Sequence, residues 1–262
     1  EMTAVKYVYN NNIGVGADFR IDNRNTLNVD LKCILPRNNL RQDLHNGFYG
    51  YGSESYENRH NDVTWNRENV EAVVAYRHVI RPDVSDVSVR GSISKIWGHR
   101  PSYYYLEGVQ TAYSESGGSP FIASVQADFK QKFKAGMLTA GAKLTYRSND
   151  IYHQFYEGGE YSDAFSNDLL HTELIPAAYV LFSSKIGKKF TYKAGLRGEF
   201  STVTLTSSHE GLDVRNNDFF VSPSLSGTLR LAENQELSLA FSRRVGRPAY
   251  PQLNPYMSMV DA

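Results

Sequence analysis

Along most of this chain apolar and polar residues alternate one by one, the period-2 signature of a strand with one apolar and one polar face. Ile13, Val15, Ala17, Phe19 and Ile21 alternate with Asn12, Gly14, Gly16, Asp18 and Arg20. After a turn-forming Asp22-Asn-Arg-Asn25, the pattern resumes with Leu27, Val29, Leu31, Cys33 and Leu35 set against Thr26, Asn28, Asp30 and Lys32. The same alternation predicts strands over 70–80, 87–93, 121–129, 138–146, 190–200, 219–231 and 237–241. Residues 172–183 read as one more strand, but its middle, Ile175-Pro-Ala-Ala-Tyr-Val-Leu-Phe182, is apolar on both sides and its faces stay unassigned.

The connections between these strands alternate in length. Short turns fall at 22–25, 81–83, 134–136, 187–189 and 232–235, and long polar stretches at 36–62, 99–120, 148–170 and 207–217. Transmembrane barrels are built this way, with tight turns on one side of the bilayer and long loops on the other. The expected strands are about ten residues long, near the length a tilted strand needs to cross a bilayer. Charges also segregate: Asp18, Asp30, Glu71, Arg77, Arg90, Lys130, Lys143, Arg197 and Arg230 all fall on polar faces. The exception is Lys95, near a strand end, where a long side chain can snorkel. A charge facing lipid at mid-membrane costs about 2–4 kcal/mol, so a lipid-facing wall requires this segregation. A soluble antiparallel sheet with one wet face shows the same alternation. The asymmetric connections and the many Gly and Ala on the strand faces favour the membrane wall. The expected fold is all-β: an antiparallel up-and-down transmembrane β-barrel segment of about ten strands, with 1–262 as one domain.

Composition narrows the function classes. Twenty-eight basic residues balance 28 acidic ones, which gives no electrostatic footprint for nucleic acid. A single cysteine, Cys33, excludes an intramolecular disulfide and reads as a small buried or lipid-facing side chain. No apolar run is long enough for a transmembrane helix, which leaves a barrel untouched. No catalytic constellation is present in the pattern. Gly14-x-Gly16 lies inside an alternating strand rather than before a helix, and Ser116-Gly-Gly-Ser119 lacks nucleophile-elbow spacing. The seven histidines show no metal-ligand spacing, so neither a metal nor a cofactor is expected. His153 with Glu157, and the acids Glu157, Glu160 and Asp163, read as solvated loop residues.

Binding is the chemistry the chain offers. Trp97, His99, Arg100, Tyr103, Tyr104 and Tyr105 bring aromatic surfaces with polar tips into the second long connection. They suit stacking on sugars, chelates or peptides. A membrane-interface girdle uses the same residue types.

The last alternating strand, beginning at Leu237, runs into Arg243-Arg244-Val-Gly-Arg247-Pro248-Ala-Tyr250-Pro-Gln-Leu253-Asn254-Pro255. This motif resembles that of the TonB-dependent outer-membrane receptors, in particular their Bacteroidota-type β-barrel branch. Tyr192-x-Ala-Gly-Leu-Arg-x-Glu199 and Val221-Ser-Pro-Ser-Leu225 fit the same resemblance more weakly. The resemblance implies a barrel of about 22 strands around a plug, of which this chain is expected to be a middle portion, cut at both ends and without the plug. It implies a late strand running into a long extracellular loop. It also implies energy-coupled uptake of a scarce nutrient: a metal chelate, vitamin, glycan or peptide. The implied partners are outer-membrane lipid, the TonB complex acting through the plug, the nutrient itself and a surface lipoprotein. A passive porin and a surface β-sheet adhesin are the rival readings.

Overall fold

The computed structural model describes residues 2–50, 53–207 and 211–247, with the side chains of 47–50 and 53–55 left aside. Twelve strands form one antiparallel sheet: β1 (Met2–Arg20), β2 (Asn25–Gly50), β3 (Ser53–Arg81), β4 (Ser85–Leu106), β5 (Val109–Gly118), β6 (Phe121–Phe133), β7 (Gly136–Glu157), β8 (Glu160–Tyr161), β9 (Asn167–Ile186), β10 (Phe190–Ser207), β11 (Leu212–Ala232) and β12 (Gln235–Ser242). The path through it is β1-β2-β3-β4-β5-β7-β9-β10-β11-β12, an up-and-down meander. β5 and β6 are two lengths of one descending strand, since both lie between β4 and β7 in a single register. The break falls at Ser119-Pro120, where proline has no N–H to give to the ladder. β8 only hangs on the outer end of β7. The expected meander of about ten strands is therefore the one observed. Among the described residues the sole helix is a 3₁₀ turn, Asp163–Phe165.

Strand length departs from expectation. The sequence predicts strands of about ten residues separated by long loops, but β2 has 26 residues, β3 has 29, and β4 and β7 have 22 each. The polar stretches 36–62 and 99–120 are mostly paired hairpins, not loops. The reason is physical. Alternation of hydropathy marks only the part of a strand whose faces meet different solvents. Beyond the membrane both faces are wet, so the pattern fades while the backbone ladder continues.

The exposed face of the sheet is its apolar one. Along β6, Val125, Ala127 and Phe129 are exposed while Gln126 and Asp128 are partly covered. β9 shows the same inversion and resolves its unassigned faces: Leu169, His171, Glu173, Ile175 and Ala177 are buried, and Leu170, Leu174, Pro176, Ala178 and Val180 are exposed. Among the described residues the buried set contains Asn149, Ser166, Glu173 and Ser201, and few large apolar side chains. A soluble sheet does the opposite. Cys33 lies on the exposed face between Ile13 and Val70.

Aromatic residues on this outer face fall at two levels. Tyr76, Phe129, Phe182, Phe190 and Tyr192 lie near the short turns, and Trp97, Phe121, Tyr146, Phe200 and Phe219 near the start of the hairpin extensions. Eight to ten residues separate the levels, about 19–23 Å for strands tilted near 45°, close to the height of a barrel's apolar band. Lys95, at the upper level, donates from Nζ to the Ser119 carbonyl at 2.8 Å, an acceptor at the β5–β6 break. Both ends of the sheet are open: among the described residues β1 pairs only with β2 and β12 only with β11, and both strands are exposed throughout.

Candidate functional site

The inner face carries a continuous polar network across β6, β7, β9 and β10. It starts at Gly141 of β7, which lies between Asp128 of β6 and Tyr179 of β9 in the ladder. A Cβ at Gly141 would come within 2.5 Å of the Tyr179 hydroxyl, so glycine alone lets that ring cross β7. The Tyr179 hydroxyl then donates to Asp128 and accepts from Gln126 Nε2 at 2.8 Å. The Arg197 guanidinium stands over the same ring, 5.6 Å from its centroid, and bonds Glu199.

Arg247 completes the network from far away in sequence. Its Nε donates to Glu173 Oε1 at 2.8 Å and its Nη2 to Glu199 Oε2 at 2.9 Å. Glu173 is almost fully buried and also accepts from Ser201 Oγ at 2.9 Å and Arg147 Nη1 at 3.4 Å. The last ladder bond of β12 runs from Arg243 N–H to the Pro223 carbonyl at 3.1 Å; the chain then leaves the sheet and crosses its inner face. The segment entering the motif turns inward over the wall, because two carboxylates there draw Arg247 across β10 to β9. Arg244 is exposed. Pro248, Tyr250, Leu253, Asn254 and Pro255 lie outside the described residues.

The six aromatic and basic residues of the second connection all lie on β4, and the strand's alternation divides them. Trp97, His99, Tyr103 and Tyr105 share the outer face with Ile93; Arg100 and Tyr104 share the inner face with Ser102. On the outer face, directly paired tyrosines form a row: Tyr103–Tyr113 at 5.0 Å, Tyr113–Tyr156 at 5.8 Å and Tyr156–Tyr161 at 5.6 Å between centroids. Beside it Glu115 accepts from Tyr113 at 2.8 Å and Tyr152 at 3.0 Å, with His99 Nδ1 at 3.4 Å. The Tyr113 bond, with help from Tyr152 and His99, holds the Glu115 carboxyl below its ordinary range. Burial, then Glu115, push the Tyr113 phenol up to about 12.

On the inner face Trp65 of β3 has Lys6 Nζ at 4.8 Å and the Arg100 guanidinium at 5.9 Å from its ring. Tyr104 packs on buried Phe155, which is capped edge-on by Phe165 of the 3₁₀ turn. His153 shares a 2.7 Å hydrogen bond with Ser116. Burial, and secondarily Arg100, hold its imidazole below the usual value. Among the described residues no group of His, Cys, Asp and Glu could hold a metal ion.

Residues 98–262 match the model of the outer membrane protein beta-barrel family. The chain belongs to that family. No curated protein matches the sequence. Among solved structures, the sheet resembles the ferric citrate transporter FecA in its unliganded form, with 12% identity, a TM-score of 0.58, and coverage of 90% of this chain and 43% of that one. It resembles the closed form of the ferric-catecholate import receptor Fiu from E. coli K12, with 9% identity, a TM-score of 0.59, and coverage of 92% and 49%. It also resembles the siderophore receptor PiuA from Acinetobacter baumannii, with 12% identity, a TM-score of 0.55, and coverage of 92% and 48%. The chain thus spans about half the length of these receptors. As a member of the outer membrane β-barrel family it is located in the bacterial outer membrane. Its apolar face is the lipid face, its charged face the lumen wall, and its long hairpins are the extracellular side.

The lumen network was only partly legible in the sequence. Arg247 stood out within the motif and Glu199 within the weaker Tyr192–Glu199 pattern, but Glu173, Tyr179 and Gly141 did not. Their signal was a charge, ring or glycine on a polar strand face, which becomes a site only once register is known.

Proposed function

We propose that this chain is a wall of an energy-coupled outer-membrane uptake receptor of the TonB-dependent kind, importing a scarce nutrient such as a metal chelate, vitamin, glycan or peptide. The observation that carries the reading is the open, ten-column wall itself. It resembles the barrels of three iron-uptake proteins along about nine-tenths of its length while both edge strands stay unpaired on their outer side among the described residues. Unpaired backbone costs several kcal/mol per group in hydrocarbon, so β1 and β12 pair with further strands in the working protein. The resulting lumen is wide enough for a plug. Arg100 and Tyr104, with Trp65, Lys6 and His153 beside them, form the nutrient-facing part of the vestibule. The Arg247 clasp lies below, on the wall a plug would face. No step of covalent chemistry on the nutrient is assigned to the chain.

Uptake by cells of isotopically labelled ferric chelate, vitamin, oligosaccharide and peptide, with and without a protonophore, tests this. We expect accumulation of one class against its gradient, abolished by the protonophore. Downhill flux of many small solutes, unaffected by the protonophore, would instead identify a passive porin.

A further inference from the structure

Above the upper aromatic level, on the outer face, Tyr7 of β1, Arg41 of β2, Asp62 of β3 and Tyr103 and Tyr105 of β4 line a groove of about 470 Å³. We infer that this groove binds the saccharide headgroup of a glycolipid in the surrounding outer leaflet. Its position is the first reason. The groove continues the lipid-facing surface upward, and six residues of tilted strand from Trp97 to Tyr103 place it about 14 Å beyond the girdle, at the level of headgroups and sugars.

Its chemistry is the second reason. Tyrosine rings offer flat apolar surface with a polar tip, which suits the C–H faces of a sugar, while Arg41 and Asp62 can donate to and accept from its hydroxyls. Asp62 is held in place by His60 at 3.0 Å, and His60 packs on Tyr105 at 5.6 Å.

The distribution of tyrosine is the third. Among the described strand side chains, Tyr104 and Tyr179 face the lumen and the other tyrosines face outward. Rings set aside for a nutrient in the lumen would face the other way. From the groove the row Tyr103–Tyr113–Tyr156–Tyr161 extends the platform sideways.

Lower on the same face, an apolar groove of about 410 Å³ runs over Ala72 of β3, Gly91 and Ile93 of β4, Ala123 of β6 and Leu144 of β7 within the hydrocarbon band. Nothing lies within 4 Å of a Cβ built at Gly91. An acyl chain fits there, so one face offers a place to each half of an amphiphile. A soluble glycan or a protein partner would leave this lower groove without a purpose.

The test uses the full-length protein purified from its own outer membrane in mild detergent, with bound lipid read by native mass spectrometry. After delipidation it is titrated with vesicles carrying the native glycolipid, with the same lipid stripped of its sugars, and with the free saccharide. The wild type should retain the intact glycolipid and prefer it over both other probes. Tyr103→Ala with Tyr105→Ala should lower retention about tenfold, while the paired Phe replacements keep most of it. Asp62→Asn and Gly91→Leu should each lower it several-fold, and they serve as the test if the double alanine variant does not assemble. Equal retention of the sugar-free lipid, equal binding of free saccharide without membrane, or unchanged retention in the folded variants would overturn the inference.

Discussion

Glu173 and Arg247 are 74 positions apart and meet at 2.8 Å. A carboxylate this buried needs its partners, and Arg247, Arg147 and Ser201 supply them. Arg247→Ala should therefore cost about 1–2 kcal/mol, at the lower end because two partners remain and the guanidinium is partly exposed. A double-mutant cycle with Glu173→Gln, read by urea unfolding in lipid, should return a coupling of about 1 kcal/mol or more. Simple additivity would mean that the clasp is not formed. Gly141→Val makes a sharper demand. The Tyr179 ring has nowhere to go but off β7, losing its bonds to Asp128 and Gln126, so a cost of about 1–3 kcal/mol is expected. Gly91→Ala, with open space around it, should be nearly neutral by the same assay.

Each strand changes solvent along its length, and that decides what its sequence reveals. In β6, Ala127 faces lipid and Gln126 the lumen, so Ala127→Arg should destabilise by about 2–4 kcal/mol and Gln126→Arg by much less. Equal costs would mean that both faces meet the same medium. Where the two faces differ in this way, strands and turns were readable from hydropathy alone: the turns after β1, β3, β6, β9 and β11 fall where expected. β9 was unreadable because Ile175 and Ala177 put apolar side chains on the lumen face, where they are buried at 5% and 8% exposure. Residues 97–105 read as one aromatic cluster because sequence proximity hides the division a strand imposes. The outer halves of β2, β3, β4 and β7, and all of β5, read as loops for want of any contrast between their faces.

One such outer half carries a pH dependence. Folded His153 has its pKa held below the unfolded value of 6.5, by burial first and Arg100 second. The unfolded hairpin therefore takes up the proton first. The stability of β5 on β7 is full above that value and falls as the pH drops from it toward the folded pKa. Protection factors of the outer β5–β7 ladder, corrected for the intrinsic pH dependence of amide exchange, should fall as the pH drops below 6.5 in the wild type, more than in His153→Gln. Identical profiles would remove His153 from the account.

As a whole the molecule is a wall with two incompatible faces, and every functional statement above depends on which face meets lipid. The extracellular tyrosines are assigned to glycolipid, and Arg100, Tyr104 and the Arg247 clasp to the lumen, only because the apolar face points outward. Site-directed spin labelling in reconstituted bilayers addresses this directly. In a Cys33→Ala background, single cysteines are placed at Leu31 and Lys32 on β2, Val125 and Gln126 on β6, and Leu196 and Arg197 on β10. Labels at Leu31, Val125 and Leu196 should be accessible to oxygen and shielded from a water-soluble nickel chelate; those at Lys32, Gln126 and Arg197 should show the reverse. Oxygen-rich and chelate-poor signals that fail to alternate, or that alternate with the opposite phase on any of the three strands, would contradict the assignment of lipid face and lumen.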